Sequence, residues 1–553
     1  MYKLNYIACV CVAILLFYGC SNEVTNTEGQ LREWISTLSS DEFEGRKPGT
    51  NGGQLTKNYI ADQLKKLNIE PLGNSYFVEV PATQITLKNQ SYVTLSFRGQ
   101  DRKLNTGKEI VFWTKHAKEY RKLRDSQLVF VGYGIVAPEY NWNDYEGIDV
   151  RGKTVVMLIN DPGFDTGKLR LFNGKSMTYY GRWTYKFEEA ARQGAAGVII
   201  LHEEDAAAYP WSTVENSWQG PQLDLTREDL GLSRAVVEAW IPHDVFSNLI
   251  DFTGFNYDSL KEIALSDTFR AFDLRGMKLS TEIFNNVDYL TSHNIAGLHV
   301  GSTRPDEYIL YTAHWDHLGI LENLGSEDII ANGAIDNATG ISALLDLASR
   351  FARTDTERSQ LFLFVTLEES GLLGSEYFAE YPPIKLNNIV AGFNFDGIIP
   401  TGKTNDVVVI GYGASELEEL LEEQLSKEGR YINPDPNPEK GYFYRSDHIS
   451  FAKRGVPMLY ADGGSDLVNG GKAAGLILEE NYRKNAYHNV ADEYSEDWDL
   501  DGLIQSIDSI YEVSLNLSNN NMWPNWYDDN EFRSIRDSSL RPVSYTHLRA
   551  HET

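Results

Sequence analysis

Five near-continuous apolar runs of strand length sit in the second half of this chain: "NIAGLHVG", "YILYTAH", "LFLFVTLEE", "IVAGFNFD" and "DVVVIGYG". A strand with one wet face alternates apolar and polar residues. A strand buried on both faces has no need to. Between the second and third runs lies "NATGISALLDLASRFAR", where Ile341, Leu344, Leu345, Ala348 and Phe351 recur at helical spacing. Buried runs alternating with amphipathic helices predict an α/β fold, with a mainly parallel central sheet and helices on both faces. In such sheets, sites form beyond the carboxyl ends of the strands.

Those ends carry a pattern. His314 closes "YILYTAH", Glu368 and Glu369 follow "LFLFVTL", and Asp396 follows "IVAGFNF". Asp336 lies in the glycine-rich "ANGAIDNATG" just before a helix, and His488 in the late loop "NAYHNVADEY". Taken singly, Asp336 suits an N-cap, the glutamate pair a solvated strand end, and His488 a loop histidine. Together they bring four carboxylates to one sheet edge. There they would repel and raise one another's pKa values unless one or two cations joined them.

At 553 residues the chain is long for one domain and predicts two, one inserted in the other. Gln54 to Leu67 reads as an amphipathic helix, with Leu55, Tyr59, Ile60, Leu64 and Leu67 on one face. Further on, "SQLVFVGYGI" and "GKTVVMLIND" are short strands bounded by Gly, Pro and Asn, and "YKFEEAARQGAAGVIILHEED" reads helix, turn, strand. Residues 116–283 are therefore expected to form an inserted, mostly β domain, with 30–115 and 284–518 as the two parts of the main one. His202 and His243 fall in the insert and are expected to be surface or structural histidines. Residues 519–543 read as an extension. The tail "VSYTHLRAHET" has no periodicity and resembles translated adapter sequence. Residues 544–553, with His547 and His551, are therefore set aside from the site.

Acidic residues outnumber basic ones, 79 to 50, for a net charge of −29. That argues against nucleic acid or an anionic membrane surface as partner. At the N-terminus, Lys3 precedes an apolar core from Ile7 to Tyr18 that is too short to span a bilayer and fits a signal peptide. The Gly19-Cys20 that ends it, before polar "SNEVTNTEGQ", resembles a bacterial lipoprotein signal. That likeness implies residues 1–19 removed, 20–29 a linker, and a lipid on Cys20 as the sole membrane contact of an envelope, periplasmic or secreted protein. The alternative is an ordinary secretory signal. Cys9, Cys11 and Cys20 are the only cysteines, so any metal in the mature chain must be held by His, Asp and Glu.

The segments "TAHWDHLG", "NGAIDNATG", "TLEESGLLGSEYFA", "FNFDG", "YRSDHISFAKRGVPMLY" and "YHNVADE" resemble the successive motifs of the co-catalytic di-zinc aminopeptidases, peptidase family M28. The resemblance covers about residues 30–110 and 285–515. "DSQLVFVGYGIVAPEYNWNDYEGIDVRGKTVVMLINDPG" and "EEAARQGAAGVII" resemble the protease-associated (PA) domain that many members insert.

The family likeness implies two zinc ions per chain, with His314 and Asp396 on one, Glu369 and His488 on the other, and Asp336 bridging. It implies Glu368 as general base toward a metal-bridged water, and a tyrosine at Tyr487 that polarises the scissile carbonyl. Asp316 is expected to accept the His314 ring proton, since residues i and i+2 of an extended strand point the same way. His317 has no role in this scheme, and Asp447 and His448 are expected near the pocket without being ligands. The implied function is hydrolysis of the N-terminal peptide bond of peptides with a free N-terminus. A glutamate-carboxypeptidase-like hydrolase and a glutaminyl cyclase are the rivals within the enzymes. A receptor-like binding protein is the alternative from another class.

Overall fold

The apolar runs lie side by side in one sheet of the computed structural model, which describes residues 27–540 apart from 267, 322–327 and 462. The expected signal segment, Cys20 and the tail 544–553 lie outside the described residues. Across the sheet the order is Phe272–His299, Arg358–Val365, Arg304–His314, Ile389–Asn394, Met458–Ala461, Asp406–Ile410 and Tyr431–Pro434. The four strands from Arg358–Val365 to Met458–Ala461 are mutually parallel. Phe272–His299 and Asp406–Ile410 flank them antiparallel. The fold is α/β with a largely parallel core.

Both faces of that core are covered, which explains the missing alternation. Ile309, Tyr311 and Ala313 point one way, into a cluster with helices Thr27–Leu38, Asn51–Lys66, Gly340–Phe351, Leu417–Glu428 and Asp501–Ser518. Tyr308 and Leu310 point the other way, onto helices Leu373–Glu380 and His448–Ala452. Each fully buried Leu, Ile or Phe here contributes roughly 1.5–3 kcal/mol relative to exposure. Thr50 caps Asn51–Lys66 by accepting the Gly53 N–H, and helix and expected span agree to within a turn.

The strand Phe272–His299 joins two sheets. Up to Phe284 it pairs with Tyr120–Phe130 and Tyr92–Phe97; from Asn285 it pairs with Phe77–Leu87. The second sheet continues through Thr154–Leu158, Gly197–His202 and Val237–Pro242 to Val111–Trp113. It thus draws on strands from Tyr92 onward. Tyr120–Phe130, Thr154–Leu158, Gly197–His202 and Val237–Pro242 run parallel, so crossovers such as helix Trp183–Arg192 lie between them. This region has its own apolar cores and is α/β rather than mostly β in character. Within it, His202 is buried and its ring meets the Tyr209 carbonyl at 3.1 Å, a structural contact.

Candidate metal centre

Three adjacent parallel strands end together, with His314 level with Val365 and Thr312 level with Asn394. Beyond those ends stand His314, Glu368, Glu369 and Asp396. Asp336 arrives from the loop ahead of helix Gly340–Phe351, and His488 from the loop after helix Gly471–Asn485. The Asp336–Asn337 peptide is cis. Asp492 holds that loop, its carboxylate accepting the N–H groups of Ile335 at 2.9 Å and Asp336 at 3.0 Å.

The six side chains converge. His314 Nε2 lies 3.1 Å from a carboxylate oxygen of Asp336 and 3.1 Å from one of Asp396. His488 Nε2 lies 3.2 Å from Asp336 and 3.2 Å from Glu369. His317, left without a role by the sequence, joins them: its Nδ1 is 2.7 Å from Glu369 and 3.9 Å from Asp336. Ligand atoms of His314, Asp336 and Asp396 fall within 4.8 Å of one another, and so do those of His317, Asp336 and Glu369. The two groups share Asp336. A third group joins His314, Glu368 and Glu369 in the same span. Tyr487 stacks on the His488 ring at 3.9 Å and is 46% exposed at the pocket mouth.

Asp316 does something other than expected. The strand ends at His314, so the alternation that would align their side chains stops there. His314 Nδ1 faces the Asp316 backbone carbonyl at 3.0 Å, and the Asp316 carboxylate turns across to accept the N–H groups of Glu368 and Glu369 at 3.1 and 3.4 Å. His314 is still fixed as the tautomer with its proton on Nδ1, but through main chain.

Charge crowding marks the site. Burial pushes the Glu368 carboxyl well above the usual carboxylate range; the charge on Glu369 and Asp396 adds to this and His314 opposes it. Burial would lower His488, but Glu369 and Asp336 reverse that and carry it up to about 9. Burial likewise works against His314, and Asp396 and Glu368 draw it well above its ordinary value. The carboxylates pull protons onto the ring nitrogens, as they would pull a cation.

Besides Asp492, three residues outside the expected set hold the site in place. Arg46 is fully buried and donates to the carbonyls of Trp315, Leu38, Gly333 and Asp336 at 2.8 to 3.1 Å, and also to that of Asn332. Ser446 donates to Asp396 at 2.5 Å, and Asn337 accepts the N–H groups of Gly340 and Gly397 at 3.1 and 3.2 Å. His448 is buried against Phe443 and Tyr460, and burial pushes it down to about 3, so it is neutral and structural. The only sequence signal for His317 is its place in "TAHWDHLG"; Arg46 carries none, because its contacts are all long-range.

Residues 294–512 match the model of Peptidase family M28. That stretch contains every member of the donor cluster, from His314 to His488. The chain is 30% identical over 129 residues to Aminopeptidase NAALADL1 of Mus musculus, covering 22% of this chain and 16% of that protein. It is 32% identical over 108 residues to a Probable zinc metalloprotease of Pyrenophora tritici-repentis (strain Pt-1C-BFP), covering 19% of this chain and 24% of that protein. The matched stretch is thus a quarter or less of either relative's length. Among solved structures, the aminopeptidase from Aneurinibacillus sp. strain AM-1 is similar with a TM-score of 0.49 at 16% identity, over 90% of this chain and 95% of that one.

The donor cluster fits zinc by its chemistry. It offers imidazole nitrogens and carboxylate oxygens, no thiolate, and a surplus of negative charge over its histidines. It opens into a cavity of about 300 Å³ lined by His314, Asp336, Glu368, Asp396, Arg445 and Tyr487, so the donors face space that a substrate can enter.

Proposed function

We propose that this chain is a zinc metallo-exopeptidase that hydrolyses the N-terminal peptide bond of peptides with a free N-terminus. The observation that carries the reading is Asp336, which belongs at once to the His314–Asp396 group and to the His317–Glu369 group, with Glu368 beside both. Two zinc ions per chain suit that shared carboxylate. His314, Asp336 and Asp396 would hold one ion. Asp336 and Glu369, with His488 and His317 as the available nitrogens, would hold the other.

Zinc, when bound, supplies Lewis acidity, which makes water acidic near neutral pH and polarises a carbonyl. The rest falls to the chain. Glu368 takes the proton from the attacking water on its carboxylate and returns it to the leaving amine. Burial raises its affinity for protons, the direction that a base holding a proton between the two steps needs. Asp316 holds Glu368 and Glu369 by their backbones. Tyr487, stacked on His488 at the cavity wall, places its hydroxyl for the carbonyl oxygen. The second sheet is proposed to be the protease-associated domain.

Glu368→Gln tests the assignment. Turnover of an aminoacyl amide should fall by at least ~10³-fold while metal content stays at the wild-type value. Retained turnover removes Glu368 from its role; loss of metal makes it a ligand instead.

A further inference from the structure

Among the described residues, Arg445 on the cavity wall and Arg182 near it have no acidic partner. Arg445 lines the same cavity as His314 and Glu368, and the next residue, Ser446, donates to Asp396. Its Nε and Nη2 are buried and make no hydrogen bond, and Arg182, 7% exposed, has an unpartnered Nε. Arg182 is pulled down to about 10, by burial first and then by the charge of Arg445. Neither forms a salt bridge with any carboxylate among the described residues. In a chain of net charge −29, acidic residues outnumber basic ones, yet none is paired with either arginine among the described residues. The other cavity arginine, Arg483, is already engaged by Glu479 at 3.0 Å.

The arrangement is built. The Arg445 guanidinium rests 5.8 Å over the Tyr209 ring and 5.4 Å from the Tyr442 ring. Tyr209 comes from the second-sheet region, and Tyr442 from the peptidase domain. Ring faces hold the fork in one plane without consuming its N–H donors. A planar fork with free donors is matched by a carboxylate, which it can bind through two parallel hydrogen bonds. Acidic lining from Asp435 and Glu479 lies in the same cavity but pairs with neither arginine.

We propose that Arg445 is a specificity-determining residue that takes a carboxylate of the substrate, making short acidic or free-acid peptides the preferred class. The inference rests on the peptidase reading above. The carboxylate can be the C-terminus of a dipeptide or tripeptide, or an acidic side chain next to the scissile bond. In either case, the region that supplies Tyr209 and Arg182 takes part in substrate selection.

The test uses the zinc-loaded Glu368→Gln protein, so that bound peptide is not consumed, and calorimetric affinity for four probes: Leu-Gly, Leu-Gly-amide, Leu-Glu-amide and Leu-Gln-amide. In at least one acid–amide pair the acid should bind tenfold or more tightly. Preference for Leu-Gly over its amide assigns the C-terminus; preference for Leu-Glu-amide over Leu-Gln-amide assigns the side chain. Adding Arg445→Gln should bring that ratio to within twofold, and Arg445→Lys should restore part of it. If Arg445→Gln fails to fold, Tyr209→Ala should lower the ratio several-fold. Equal affinities within both pairs overturn this proposal alone. No binding of any probe overturns it together with the peptidase reading.

Discussion

The Asp316 carboxylate accepts the backbone N–H of Glu368 at 3.1 Å. A residue two places past one metal-site histidine thereby sets the position of the proposed base on a neighbouring strand end. Asp316→Asn keeps the size but offers one acceptor oxygen where two N–H groups need one each. The expected result is a fall in kcat of roughly 10–100-fold, with KM changing less than threefold. Steady-state kinetics on an aminoacyl amide measures the split; a change confined to KM would contradict it.

Asp336 serves both halves of the donor cluster, so its loss should not be partial. Stripping metal with a chelator should abolish activity and lower Tm, and zinc should restore both. Zinc at about 100 times its Kd adds roughly 2.7 kcal/mol of stability. In Asp336→Asn the zinc-dependent rise in Tm should disappear, read by thermal melts with and without zinc. A full rise in that variant would show that Asp336 holds no ion.

Arg46 bonds five carbonyls from three chain segments in the core beneath the site. Arg46→Met fills the volume but leaves those oxygens unpaired. The variant should be less stable by about 3–5 kcal/mol, measured by urea unfolding. Zinc affinity should fall with it, because the Asp336 and Gly333 carbonyls lose their anchor.

Glu188 and Lys453 join the two sheet regions at 2.8 Å. Burial alone would raise the Glu188 carboxyl, but Lys453 and the Tyr179 hydroxyl more than offset this and hold it at about 2. A carboxyl lowered on folding stabilises the native state above its ordinary value near 4.5. That contribution is lost as pH falls through 4.5 toward 2. Glu188→Gln should cost about 1–3 kcal/mol at pH 7, and the difference from wild type should shrink steadily below pH 4.5. A difference independent of pH would show that the pair contributes no charge interaction.

Much of the half that carries the donor cluster was legible in one dimension. Runs such as "YILYTAH" and "LFLFVTL" carry their burial in their composition, because a strand packed on both faces must be apolar at consecutive positions. In a parallel sheet such strands end at one edge, so His314, Glu368, Glu369 and Asp396 could be placed together before any contact was known. The helix Asn51–Lys66 was readable for the same local reason.

What could not be read this way depends on where the chain turns and whom it meets. Asp316 was misdirected because the strand stops at His314, an end that pairing with neighbouring strands sets. His317 needed the fold to swing it onto Glu369, and Arg46 needed five distant carbonyls. The parallel strands of the second region, the handover at Phe284 and Asn285, and the stacking of Tyr209 on Arg445 are all long-range pairings. Periodicity reports which face of an element seeks cover, but the partner that covers it is chosen by packing among segments far apart in the chain.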